Sequence, residues 1–222
     1  MIEKETINQE QIISMEQKEF KLEPLDPKKV EEVVGGYADK HIKHKHGAII
    51  FVGSGGGKST IYRNQTPNAE GKTDLIDADL LYRETEAHPL KPRSNPNEPL
   101  RPLPWWDMGT KVIQEVEKRC GVVNESMIEH GLWALTTSFD PDDKYIPKNI
   151  VIVMLPWEEH KKRIVEKFHS EHYDAGAQPT EEGFARVLSH REWTERVAKE
   201  KNIPVVDSIE AAIELLRSRE IN

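Results

Sequence analysis

Residues Ala48 to Thr60 read AIIFVGSGGGKST: an apolar run, a glycine-rich turn, then Lys-Ser-Thr where a helix can start. An unbroken apolar run suits a strand buried on both faces, which requires a parallel sheet with helices packed on either side. Gly53, Ser54, Gly55, Gly56 and Gly57 let the backbone turn its N–H groups around an anion without Cβ clashes. In a loop of this kind Lys58 reaches the β- and γ-phosphates of a nucleotide and the Ser59 hydroxyl binds Mg²⁺. The helix entered through Ser59 and Thr60 adds its positive end to the same site. One departure stands out. The spacing G-x-x-x-x-G-K-[ST] requires glycine at position 52, where this chain has Val52, and Gly53 follows one place late. The bland alternative is a flexible strand-to-helix turn with an incidental lysine; the preceding strand and the Gly-Lys-Ser-Thr run favour phosphate binding.

The second informative feature is Asp77-Ala78-Asp79, at the end of a second strand, Thr73 to Ile76. Ligands of open α/β sheets gather at the carboxyl ends of the strands, so these aspartates and the glycine-rich loop are expected to share a cleft. Phosphoryl transfer needs a carboxylate that organises metal and often a second that takes or orients the acceptor proton. Asp77 suits the first role and Asp79 the second; the structural alternative is that one of them caps the next helix.

The rest of the chain reads as alternating helices and strands. Asp26-Pro27 starts a helix through Val30, Val33 and Val34 that Gly35-Gly36 should stop or kink. The helix after the loop is short, because Thr66-Pro67-Asn68 and Gly71 break it. A helix over 109–120 should stop at Gly121, with a third strand from Val122-Val123 towards Ile128. Strand four is Ile150 to Leu155, followed by a helix to about Phe168 and another over 181–200. Ile203 to Val206 is an edge strand, and Ser208 caps a last amphipathic helix. The expected organisation is a mobile N-terminal arm over 1–25 and one domain over 26–222.

Bulk properties narrow the class. The 222 residues carry a formal net charge of −8 and are 36% hydrophobic, with 32% charged residues. That balance weakens any case for non-specific nucleic-acid binding but leaves room for a local basic channel. A local basic cluster, His41 to His46, reads as a solvated strand entry, with a phosphate-contacting patch as the minority reading. A single cysteine, Cys120, excludes an internal disulfide framework or a cysteine-based zinc site. No apolar run is long enough for a membrane span, and the acidic start MIEKETINQEQ does not read as a secretory signal, so a cytoplasmic location is expected. No nucleophile elbow or paired metal-ligand histidine spacing is present in the sequence.

Gly-Lys-Ser-Thr followed by Asp-x-Asp resembles the small P-loop kinases, typified by shikimate kinase, gluconate kinase and the kinase module of polynucleotide kinases. The resemblance covers about residues 47–216 in its order of elements. It implies a three-layer α/β sandwich with a five-stranded parallel sheet in the order 2-3-1-4-5, ATP and Mg²⁺ as donor and cofactor, a hydroxyl as acceptor, and a lid carrying arginines. Carried over, the loop lysine is Lys58, the metal-binding groups are Ser59 and Asp77, and the acidic pair is Asp77 and Asp79. The triple-glycine substrate turn that shikimate kinases carry after strand three is missing, since that region reads Asn124-Glu125-Ser126, which makes shikimate a poor substrate guess.

The lid is expected over 163–191, where Arg163, Lys167, Arg186 and Arg191 stand, flanked by Lys161, Lys162 and Arg196. A guanidinium near the transferring phosphate would match charge spread over its equatorial oxygens, and Arg186 and Arg191 are the candidates for that catalytic role. An acceptor-side insertion over 83–108 interleaves Arg83, Lys91, Arg93 and Arg101 with prolines and ends in Trp105-Trp106-Asp107. Trp133, Thr136, Thr137 and Ser138 are further cleft candidates, whereas Trp157 suits packing beneath strand four. The chemistry expected is phosphate transfer from ATP to a hydroxyl of a nucleoside, nucleotide, nucleic-acid end or small metabolite. The alternative is a nucleotide-binding switch or inactive module.

Overall fold

The computed structural model describes residues 22–89, 110–138, 149–168 and 180–221. Five strands form one all-parallel sheet in the order β2-β3-β1-β4-β5: β1 Ala48–Val52, β2 Leu75–Asp77, β3 Trp133–Thr136, β4 Ile150–Val153 and β5 Val205–Val206. This is the α/β architecture and strand order expected. β1 is central, with Ile49 beside Ala134 on one side and Ile150 on the other. Every residue of β1 to β4 is buried, as a sheet covered on both faces demands.

Seven helices lie among the described residues: α1 Pro27–Ala38, α2 Lys58–Arg63, α3 Ala78–Glu84, α4 Thr110–Glu129, α5 Trp157–Phe168, α6 Glu181–Lys201 and α7 Ile209–Ile221. Alternation along β1 splits the core. Ile49 and Phe51 meet residues of α1, α3, α4 and α6, while Ala48, Ile50 and Val52 meet α7. Of the arm expected over 1–25, Leu22 and Leu25 pack against the first of these clusters, and buried Arg119 donates to the carbonyls of Glu23 and Glu86. Residues 1–21 lie outside the described residues.

Two glycine signals mislead. α1 is capped by Asp26, whose side chain accepts from Lys28 N at 2.9 Å, and runs straight through Gly35-Gly36. Val30, Val34 and Ala38, four apart on one face, are buried, and that packing outweighs the roughly 1 kcal/mol each glycine costs in a helix. α4 likewise passes Gly121. Val116, Cys120, Val123 and Met127 continue one helical stripe and are all fully buried, whereas Val122 is 47% exposed on the opposite side. Val122-Val123 is therefore helix, not strand. The true stop is Gly131, at φ +72°, where Leu132 N donates to Met127 O at 2.9 Å and Gly131 N to Ile128 O at 3.0 Å. These are the paired bonds of a Schellman cap.

β3 follows that cap directly. Asn124-Glu125-Ser126 thus lies inside α4, and the segment after β3 is Thr137-Ser138, also without a triple glycine. β4 ends at Val153, two residues before the expected Leu155, because Pro156 and Trp157 open α5.

The helical assignment of 122–123 predicts opposite outcomes for neighbouring substitutions. Val122→Glu should shift stability by less than about 0.5 kcal/mol, while Val123→Glu buries an unpaired carboxylate and should cost at least about 3 kcal/mol. Urea denaturation of the two variants distinguishes this from a strand, in which both would be costly.

Candidate functional site

The site is built where β1 turns into α2. Val52, the last residue of β1, is fully buried and leaves its side chain in the sheet layer. A Cβ at Gly56 would lie 2.4 Å from Val52 Cγ1 and 2.9 Å from Gly53 O, so the loop folds back against the residue standing at the motif's first glycine position. Gly56 N donates to Gly53 O at 2.9 Å and closes the turn. Gly57 then takes φ +93° as the N-cap of α2 and supplies no side-chain cap bond. α2 is only six residues long and ends at Asn64, as the breakers beyond it predict.

Lys58, at the first position of α2, is 7% exposed. Its Nζ donates to Asp77 Oδ1 and to Asp79 Oδ2, each at 2.6 Å. Asp77 is the last residue of β2 and the N-cap of α3, and its Oδ1 also accepts from Asp79 N at 3.2 Å. The capping and the charged role therefore coexist in one carboxylate. Its side chain is 10% exposed, that of Asp79 43%, so the outer acid alone faces solvent. Burial works to lower the Lys58 pKa, but the charges of Asp79 and Asp77 and their hydrogen bonds outweigh it and raise the value above 10.5. The raised value fixes the sign: the pairing stabilises fully below the ordinary lysine pKa and is lost as pH rises through the folded one.

Beneath the acids lies a neutral polar network. Tyr82, on α3, donates to Asn124 Oδ1 at 2.5 Å and meets Thr136 Oγ1 at 2.8 Å. Thr136 Oγ1 in turn accepts from Ser138 N at 2.9 Å. Burial pushes the Tyr82 phenol well above its ordinary pKa, so it stays neutral. Thr136 and Ser138 are thus part of the floor beneath α3, with Thr137 half-buried beside them. Trp133 is not a cleft residue. It is 1% exposed within β3 and donates through Nε1 to His46 O at 3.0 Å.

The other wall is α5. Arg163 Nη1 donates to Gly56 O at 3.1 Å, and His160, 4% exposed, places Nε2 2.7 Å from Ser54 O. Arg191, expected as a lid arginine, instead donates to Leu155 O at 2.9 Å and lies 3.0 Å from His160 Nδ1. Arg186 and Arg196 are exposed on α6, and Lys161 sits 5.4 Å over the Phe184 ring. Trp157, expected to pack beneath β4, opens α5 and lies under the Arg191 guanidinium. A cleft of about 300 Å³ adjoins the loop, lined by Gly56, Ile61, Pro156, Arg163, Ser208 and Ile209 among others. Lys91, Arg93, Arg101, Trp105, Trp106 and Asp107 lie outside the described residues, as does most of the insertion over 83–108. Arg83, on α3, donates through Nε to Asp79 O at 3.2 Å.

The histidine-lysine cluster is elsewhere. His44 stacks flat on Trp133, with centroids 3.6 Å apart, and faces Asp74 and Glu220, so it is a packed residue rather than a solvated one. It marks the N-terminal ends of the strands, as does a larger cleft of about 460 Å³ beside His46, Asn149 and Glu220, remote from Lys58.

Among the described residues no group of three or more His, Cys, Asp or Glu side chains forms a metal cage. A Mg²⁺–nucleotide does not require one, since the ion is held by one or two carboxylates plus phosphate oxygens. The oxygens of Asp77, Asp79 and exposed Ser59 fit that need. No helix among the described residues is long and apolar enough to cross a membrane. No protein-family model, curated protein or solved structure matches the chain.

Removing either acid should expose the asymmetry of the pair. Asp77→Ala leaves the buried ammonium with only the outer acid and removes the α3 cap, and should cost about 3 kcal/mol. Asp79→Ala, at a site open to solvent, should cost about 1 kcal/mol or less. Urea melts at pH 7 give both numbers, and equal losses would refute the unequal burial.

Proposed function

We propose that the chain is an ATP-dependent phosphotransferase acting on a hydroxyl-bearing acceptor, with Mg²⁺ as cofactor. The observation that carries this reading is the buried Lys58 ammonium, held between Asp77 and Asp79 at the mouth of a glycine loop. A lysine fixed beside the loop supports the binding of linked phosphates, and the two acids beside it support the metal and acceptor roles. The 300 Å³ cleft beside Gly56 and Arg163 offers room for the nucleoside end of the donor.

Each residue then has a task. The loop amides between Gly53 and Gly57, apart from that of Gly56 which closes the turn, bind the phosphates together with Lys58, and Ser59 and Asp77 supply oxygens for Mg²⁺. The ion, when bound, neutralises charge building on the transferred group. Asp79, the more exposed acid, accepts the proton of the acceptor hydroxyl as its oxygen bonds to the γ-phosphorus and the bond to ADP breaks. Lys58 stays protonated through this cycle, because its raised pKa lies above any working pH near neutrality.

Acceptor identity is open to direct assay. Labelled ATP–Mg²⁺ is incubated with nucleosides, 5′-hydroxyl oligonucleotides and small polyols. Label should move to one class, Asp79→Asn should lower kcat about a hundredfold or more with nucleotide affinity nearly unchanged, and Lys58→Ala should abolish transfer. Nucleotide binding with no transfer to any acceptor would favour the switch reading instead. Transfer that survives Lys58→Ala would remove the loop from the chemistry altogether.

A further inference from the structure

The loop that holds Lys58 is itself held from outside by its carbonyls. Gly56 O accepts from Arg163, and Ser54 O lies 2.7 Å from His160 Nε2. A carbonyl only accepts, so His160 carries its proton on Nε2. Its Nδ1 is then a bare acceptor, and Arg191 Nη1, a cation that only donates, lies 3.0 Å away. The same guanidinium donates to Leu155 O and sits 5.6 Å over the Trp157 ring, which fixes it from two further sides. Glycine at position 53 allows the approach, because a Cβ there would stand 3.3 Å from His160 Cε1.

We propose that His160 and Arg191 form a clamp that positions the phosphate loop: Arg191, reaching from α6, holds the His160 imidazole as its Nε2–H tautomer, and the imidazole holds the Ser54 carbonyl. The inference rests on the reading of that loop as a phosphate site. It makes Arg191 a positioning residue acting through His160, not a group on the transferring phosphate. α6 thereby acts on the geometry of the loop through the His160 ring.

The clamp is sensitive to acid. The charges facing the imidazole are Arg191 from α6 and Arg163 from its own helix, each with a carboxylate nearby, Glu195 and Glu159; the loop contributes a carbonyl. Burial first, then Arg191 and Arg163, hold the His160 pKa below 6.5 against the opposing bond to Ser54. Protonating Nδ1 removes the acceptor Arg191 uses and adds a cation beside two others. Nucleotide affinity should therefore be full above the ordinary histidine pKa and fall as pH drops through the lowered one.

The test is titration of the full chain with methylanthraniloyl-ATP and methylanthraniloyl-ADP in Mg²⁺, with thermal melts to confirm folding. His160→Ala and Arg191→Met should each weaken both nucleotides about tenfold, and the double variant should be no weaker than His160→Ala alone. His160→Gln, which keeps a donor and an acceptor, should stay within about threefold of wild type and lose the acid-side fall. Long-range ¹H–¹⁵N spectra should show the Nε2–H tautomer in wild type and, in Arg191→Met, a shifted Nδ1 resonance from loss of its donor, with no nucleotide present. Additive losses, wild-type affinity in His160→Ala, or an Arg191→Met loss confined to ATP would overturn the clamp; the last would put Arg191 on the γ-phosphate. A wild-type chain with the tautomer intact that binds neither nucleotide overturns the phosphate reading of the loop, and the inference falls with it.

Discussion

A lysine ammonium removed from water has to be matched by negative charge, and that requirement organises the upper edge of this sheet. Lys58 opens the helix that follows β1, and Asp77 ends β2; in the order β2-β3-β1 the strands that lead to them are separated by β3. The ion pair therefore bridges over the end of β3. The cost of dehydrating Lys58 is offset only because two carboxylates converge on it with short hydrogen bonds. Asp77 can be one of them because it is also the N-cap of α3, which ties its carboxylate to the helix's own backbone. What lies below must then be uncharged but polar enough to satisfy its own groups, and the Tyr82, Asn124 and Thr136 side chains answer that need.

Two kinds of support hold the glycine loop in register with this pair. From inside, Val52 packs into the core and leaves room at position 56 only for hydrogen. From outside, α5 presents His160, Arg163 and Ile164 on one face, three and four residues apart, and all three meet the loop. A segment rich in glycine has the largest conformational entropy to lose. It is kept in one shape here by neighbours that are not glycine.

Much of this was legible in the chain itself. Continuous apolar runs located β1 and β4, the Pro-containing run at 203–206 located the edge strand, and the Gly-Lys-Ser-Thr and Asp-x-Asp motifs located the ion pair. The errors share a cause. Gly35-Gly36 and Gly121 are local breaking signals, and buried stripes on α1 and α4 override them, because packing energy summed along a helix exceeds the propensity of one residue. Gly121 read as a stop displaces β3 onto Val122-Val123. Reading the stripe Val116, Cys120, Val123, Met127 past the glycine would have found the true boundary at Gly131. His160 carried no comparable signal. A lone histidine in an amphipathic helix gains its meaning only when the β4–α5 corner brings it under Ser54, and no spacing rule encodes that meeting. Nor did the alternation of His and Lys before β1 reveal that His44 would lie against Trp133.

The contact between Val52 and Gly56 reaches beyond the loop. A valine at the strand's last position and a missing side chain four residues later are two halves of one steric arrangement, so what fits at one position depends on the other. Relatives that keep a bulky residue at the first should be barren of side chains at the second. Those that restore glycine at the first gain freedom at the second, limited by the Gly53 carbonyl nearby. Departure from the usual spacing would then be a coupled exchange within the turn rather than decay of the motif.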